Sequence, residues 1–116
     1  MKYMLLMYAQ ESDVPHTPEQ IQASAPAWYA FSTEAQAAGV LESASGLSSA
    51  SNATTVRVRD GKILTADGPF AETHEQLGGC YLLECKDLDE ALAWAAKLPT
   101  AQYGSVEVRP LWSPKN

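Results

Sequence analysis

The chain has 116 residues, 46% of them hydrophobic and 19% charged, which describes an ordinary folded chain and not a disordered one. Its formal net charge is −6, from 8 basic and 14 acidic residues. The densest basic stretch is Arg57, Arg59 and Lys62, too sparse for nucleic acid or an anionic membrane as the main partner.

The length predicts a single domain over residues 1–116. Met1 to Tyr8 is too short an apolar core for a signal peptide, and Gln10-Glu11-Ser12-Asp13 follows in place of a cleavage site. No apolar run approaches the ~20 residues that span a bilayer. The expectation is a cytoplasmic protein.

Lys2 to Ala9 reads as a strand. Tyr3, Leu5 and Met7 make one parity apolar, and Met4, Leu6 and Tyr8 make the other apolar too. That pattern belongs to a central strand covered on both faces. Gln10 to His16 is a loop. Thr17-Pro18-Glu19-Gln20 then starts a helix, with Thr as N-cap, Pro in the first turn and Gln at the capping-box position. The helix runs toward Ala38, and Gly39 stops it. Its apolar stripe is Ile21, Ala25, Trp28, Phe31 and Ala35. Pro26 removes an amide donor, which predicts a kink or break near Ser24 to Pro26.

Val40 to Ser49 is a weak second strand, rich in Ser, Ala and Gly. Thr54 to Arg59 alternates cleanly, Asp60-Gly61 is a two-residue hairpin turn, and Lys62 to Thr65 returns. That turn sets Val58 opposite Ile63 and Val56 opposite Thr65, with Arg57 and Arg59 on the other face. Leu77 to Cys85 reads as a buried strand, and Gly78-Gly79 predicts a bulge or a close backbone approach at its start. Cys80 and Cys85 stand at odd spacing on opposite faces, so they are read as buried small hydrophobes, not as a disulfide or metal pair. Asp87 caps a second helix with Leu88, Ala91, Leu92, Ala95 and Leu98 on one face, and Pro99 ends it. Ser105 to Leu111 is the last strand.

This order is the ferredoxin-like βαββαβ arrangement, an α+β fold, with an inserted β-hairpin. Both helices then lie on one face of an antiparallel sheet. The first strand is apolar on both faces, so a second copy of the chain is expected to cover the other face, giving a homodimer with a cavity between the sheets.

The chemistry concentrates in Asp67-Gly68-Pro69-Phe70-Ala71-Glu72-Thr73-His74-Glu75. Gly68 and Pro69 stiffen the backbone there, and stiff backbone can hold carboxylates in place. Asp67 and Glu72 are the candidate acid/base pair, if burial in a cavity disfavours their charge. The alternatives are an Asp67 that accepts backbone hydrogen bonds within its turn and a Glu72 that caps or salt-bridges. His74 is a candidate proton shuttle or a solvated side chain. Gly68, Pro69, Phe70, Trp28 and Arg109 are the candidate ligand-binding residues. Trp28 also fits the helix core, and Arg109 is placed to pair with Asp67 or Glu72 or to bind an anion. Asp67, Glu72 and His74 lack a recognised metal-ligand spacing, and no phosphate loop, nucleophile elbow or zinc motif occurs, so neither metal nor cofactor is expected.

Several of these pieces resemble the YCII-related, or DGPF-domain, family. They are Tyr3-Met4-Leu5-Leu6, Ala38-Gly39-Val40-Leu41, Ala53-Thr54-Thr55-Val56-Arg57, Asp67-Gly68-Pro69-Phe70-Ala71-Glu72-Thr73, Gln76-Leu77-Gly78-Gly79, Asp87-Leu88-Asp89-Glu90-Ala91 and Gly104-Ser105-Val106-Glu107-Val108-Arg109-Pro110. The resemblance implies a dimeric α+β barrel. It leaves open an enzyme or small-molecule binder using the cavity, or an accessory protein that contacts an extracytoplasmic-function sigma factor. Some branches of the family carry a His-Asp pair proposed as catalytic. The position of that histidine falls on Trp28 here, so the dyad chemistry does not carry over. Where the usual pattern has a lysine, this chain has His74.

Overall fold

A computed structural model describes residues 1–114. The first strand, β1 (Lys2–Ala9), is the axis of the fold. A short 3-10 turn (Glu11–Asp13) leads to α1 (Pro18–Ala37), and β2 (Leu41–Gly46) follows. A second 3-10 turn (Ala50–Asn52) precedes the hairpin strands β3 (Thr54–Arg59) and β4 (Lys62–Asp67). Then come β5 (Gln76–Glu84), α2 (Leu88–Ala96), a third 3-10 turn (Pro99–Gln102) and β6 (Ser105–Pro110). The main sheet has four strands in the order β2-β5-β1-β6, and β3-β4 stands apart as a two-stranded sheet. β1 is antiparallel to both of its neighbours. This is the ferredoxin-like order with the hairpin inserted between β2 and β5.

The core forms where the odd parity of β1 meets both helices. Tyr3, Leu5 and Met7 pack with Tyr81 and Leu83 of β5, with Phe31 and Ala35 of α1, and with Ala91, Trp94 and Ala95 of α2. Aromatic edges order this layer: Phe31 stands edge-on to Tyr81 at 5.0 Å and to Trp94 at 5.9 Å between ring centroids. The even parity, Met4, Leu6 and Tyr8 with Cys80 and Leu82, stays only half-buried.

Thr17 caps α1 with the full reciprocal capping box, and Gly39 leaves it at φ 74°. The expected break at Pro26 is absent: α1 runs unbroken from Pro18 to Ala37. Pro26 lies on an exposed stretch of the helix, where water can take up the carbonyl left without an amide partner. The apolar stripe also stops short. Phe31 and Ala35 are buried and Trp28 is half-buried, whereas Ile21 and Ala25 are exposed, so the first half of α1 overhangs the core. In α2 the buried face turns toward Trp94, and Leu88 and Leu92 are exposed.

The hairpin register is the one its turn dictates. Val58 faces Ile63 and Val56 faces Thr65, with Asp60 at φ 53° and Gly61 at φ 73°. Gly78-Gly79 does both things expected of it. The β1–β5 register slips between Met7, opposite Gly79, and Tyr8, opposite Leu77, so Gly78 is the bulged residue. At Gly79, a Cβ would sit 2.6 Å from the Ser45 carbonyl oxygen. Both cysteines are free, with Cys85 buried and Cys80 half-buried.

The close approach at Gly79 yields a stability prediction. Gly79→Ala forces β2 away from β5, because the obstructing atom is backbone. The expected loss is about 1–3 kcal/mol, read as a lower urea midpoint at unchanged slope. A variant as stable as its parent would contradict the tight β2–β5 contact.

Candidate functional site

At one end of the sheet, on its half-buried face, two irregular segments rise and enclose a cleft of about 540 Å³. One wall is residues 47–53, between β2 and β3. The other is residues 69–77, between β4 and β5. Tyr8 and Leu77, paired across β1 and β5, lie in the lining between them. The volume is within the range of small-molecule sites.

Each wall is tied down by contacts distant in sequence. Leu47 N–H donates to Gly78 O at 2.9 Å. Glu11, in the loop after β1, grips two residues further along that wall: Oε2 accepts from Ser49 Oγ at 2.7 Å and Oε1 from Ala50 N–H at 2.6 Å. These donors hold the Glu11 carboxyl below its usual pKa, the Ser49 hydroxyl contributing most and desolvation opposing weakly. At the base of the hairpin, Gly68 N–H donates to Ala53 O at 2.7 Å, and Thr55 Oγ1 donates to Gly68 O at 2.8 Å. Gly68 has φ 92°, the left-handed region glycine enters most easily. That turn sends Pro69 and Phe70 into the second wall. Beyond them, His74 Nε2 meets the Gln10 amide nitrogen at 2.8 Å, and Glu75 Oε1 accepts from Ser105 Oγ at 2.8 Å.

Of the residues singled out from sequence, Pro69 and Phe70 line the cleft. Phe70 is 78% exposed, so its ring is free to contact a ligand. Asp67, Glu72 and His74 are exposed, and none of the three lines the cleft. Glu72 alternates with the lining residues Ala71 and Thr73, and His74 follows them. Arg109 is exposed on β6, where its register partner is Met4. Among the described residues it forms no ion pair with Asp67 or Glu72; the ion pairs are N-terminus–Glu84, Lys2–Glu42 and Lys97–Glu34. Trp28 stacks parallel to Tyr81 at 6.4 Å and borders a separate shallow groove with Met7, Ser45 and Gly78. Among the described residues no cluster of His, Cys, Asp and Glu is arranged to hold a metal ion. Burial pushes the Cys85 thiol up, which keeps it protonated and a poor nucleophile. Glu11 was missed at the level of sequence: a lone glutamate in a loop carries no spacing signal, and only folding brings it to Ser49.

Sheet order and helix placement define a ferredoxin-like α+β domain. The model of the YCII-related domain matches residues 1–115, and the chain belongs to that family. It is similar to the uncharacterized protein R00369 of Rhizobium meliloti (strain 1021), at 54% identity over 61 residues. That stretch is 51% of this chain and 49% of the relative, so the match spans about half the length of that curated protein. Among solved structures, 5-chloro-2-hydroxyhydroquinone dehydrochlorinase (TftG) of Burkholderia phenoliruptrix AC1100, in complex with 2,5-dihydroxybenzoquinone, aligns over 99% of this chain and 97% of its own, at 11% identity and a TM-score of 0.49. No residue role is carried over from it. Among the described residues no helix is long and apolar enough to cross a membrane.

The Glu11 grip has a pH signature. Its folded pKa lies below the ordinary 4.5, so the stability it adds is present above 4.5 and is lost as pH falls through the depressed folded value. Glu11→Gln is expected to destabilise the protein at neutral pH by less than about 1 kcal/mol, because the contact is exposed to solvent. Thermal melts should show the two proteins converging as pH drops below 4.5. A gap that stays constant with pH would show that the charge adds nothing.

Proposed function

We propose that the protein acts as a homodimer that binds a small organic molecule in the cleft between residues 47–53 and 69–77. The observation that carries this reading is the cleft itself, a concave, mostly apolar space of about 540 Å³ whose walls are held by long-range hydrogen bonds.

The dimer rests on two features of the single chain. Met4, Leu6, Tyr8 and Leu82 remain half-buried on the sheet face opposite the helices. The hairpin exposes Val56 at 61%, Val58 at 58% and Ile63 at 73% on one of its faces. The radius of gyration is 16.2 Å, against about 13 Å for a compact chain of this length, so the hairpin stands away from the body. Tyr8 belongs both to the open face and to the cleft lining, so a chain seated on that face would also close the cleft.

Catalysis by Asp67, Glu72 and His74 is a finer reading. General acid or base work near neutral pH needs a carboxylate whose charge is disfavoured by burial. All three side chains are exposed in one chain, so the second copy would have to supply that burial. The amide variants Asp67→Asn and Glu72→Gln are expected to leave ligand binding intact and to abolish any turnover. A contact with a different protein, such as an extracytoplasmic-function sigma factor, is the reading that the exposed hairpin would serve in place of a second copy. Its test is a stable complex from mixed purified components.

Sedimentation at micromolar concentration is expected to give a two-chain mass for the wild type and a one-chain mass for the double variant Val58→Glu, Ile63→Glu. A one-chain mass for the wild type would sink the dimer. For the cleft, an NMR fragment screen should move the amide signals of Leu47, Ala50, Phe70 and Leu77 together. Fragments that shift signals only elsewhere would remove the site.

A further inference from the structure

We propose that the cleft selects a neutral, ring-bearing molecule with hydroxyl or carbonyl substituents and rejects carboxylates, phosphates and ammonium groups. This rests on the cleft being a ligand site and adds the chemical class of what it takes.

Among the described residues the lining carries no Asp, Glu, Lys, Arg or His. Its apolar area comes from side chains such as Leu47, Pro69, Phe70 and Leu77. Its hydrogen-bonding groups are all neutral: the Tyr8 phenol, the Ser48 hydroxyl and the Asn52 amide, together with Ser49, Thr73 and Gln76, which already donate to Glu11, to the Glu75 carbonyl and to the Thr73 carbonyl and keep acceptor oxygens. Hydroxyls and amides serve as both donor and acceptor, so they match alcohol, phenol or carbonyl groups on a ligand. They offer no counter-charge, and an ionised group moved out of water without one is penalised heavily.

The charge nearest the wall reinforces this choice against anions. Glu11 is hydrogen-bonded to Ser49 and Ala50, both of which line the cleft, and lines an adjoining cavity; its pKa is held down, so it stays ionised at neutral pH. Glu72 sits between the lining residues Ala71 and Thr73. These carboxylates oppose an incoming anion. They attract a cation by the same solvent-screened amount, too weakly to replace the water an ammonium group loses against a neutral lining. Aromatic surface supplies the remaining preference. Phe70 is largely solvent-facing, and Tyr8 lies in the same lining, so a flat ring can bury against them.

A matched set of probes tests the inference on the intact protein: naphthylmethanol, naphthoate and naphthylmethylammonium, titrated by NMR at neutral pH. Naphthylmethanol should bind at least about tenfold more tightly than either ion, a difference of about 1.4 kcal/mol, with shifts at Leu47, Phe70 and Leu77. Ala71→Lys places a cation at an exposed lining position and should raise naphthoate affinity above that of the alcohol. Ser48→Lys, on the opposite wall, provides the same reversal if the first variant misfolds. Equal or tighter binding of naphthoate or naphthylmethylammonium by the wild type, at the same residues, overturns the neutral-ligand class and leaves the cleft as a binding site. Failure of all three probes to shift cleft signals overturns both readings.

Discussion

The two-faced apolar character of β1 constrains everything else in this protein. A strand with Tyr3, Leu5 and Met7 on one side and Met4, Leu6 and Tyr8 on the other needs neighbours on both edges and cover on both faces. β5 and β6 take the edges. Both helices take one face, because the two crossovers that return the chain to the sheet bring α1 and α2 to the same side. The other face is left with half-buried side chains, and the cleft opens at its end. Fold, proposed assembly and proposed site therefore share one origin.

The strand pairing next to the cleft is shaped by two glycines. Gly78 is the extra residue that lets β5 change register against β1, which places Leu77 opposite Tyr8 in the cleft lining. Gly79 lets β2 approach so closely that Ser45 O would collide with a Cβ. The end of β2 is thus drawn against β5, and Leu47 can donate to Gly78 O as the chain leaves the sheet. The wall at residues 47–53 begins from that anchored point. Packing of the sheet and placement of the wall are the same event.

Much of the fold was legible because the relevant signals are local. Asp60-Gly61 demands positive φ at both positions, and a turn of that kind admits one hairpin register. Thr17 and Gln20 form a capping box whatever lies around them. Burial was less legible because it depends on where an element stands relative to its neighbours. Ile21 continues the stripe of Phe31 and Ala35, yet the helix overhangs the core before reaching it. Leu88 and Leu92 fit a helical face, and the bulk of Trp94 takes the core instead. The turn at Gly68, singled out from sequence, begins the segment that forms one wall of the proposed cleft. Pro69 and Phe70 reach the cleft, whereas the ionisable residues that made the motif conspicuous are exposed. The opposite wall left no trace in the sequence: Ser48 and Ser49 read as the end of a weak strand, whereas β2 stops at Gly46, and the stretch gains meaning only when Glu11 meets it.

The Glu11 clamp also bears on how the wall at residues 47–53 can move. One carboxylate joins a loop after β1 to a wall far along the chain, through two hydrogen bonds that water can reach. Contacts of that kind sit at the low end of a protein's scale of local opening energies, well below global unfolding. The wall can therefore swing out as a local excursion while the sheet and its aromatic layer stay folded. Leu47 and Ala53, bonded to Gly78 and Gly68, are then the fixed ends of the wall, and the Glu11 contacts hold the stretch between them.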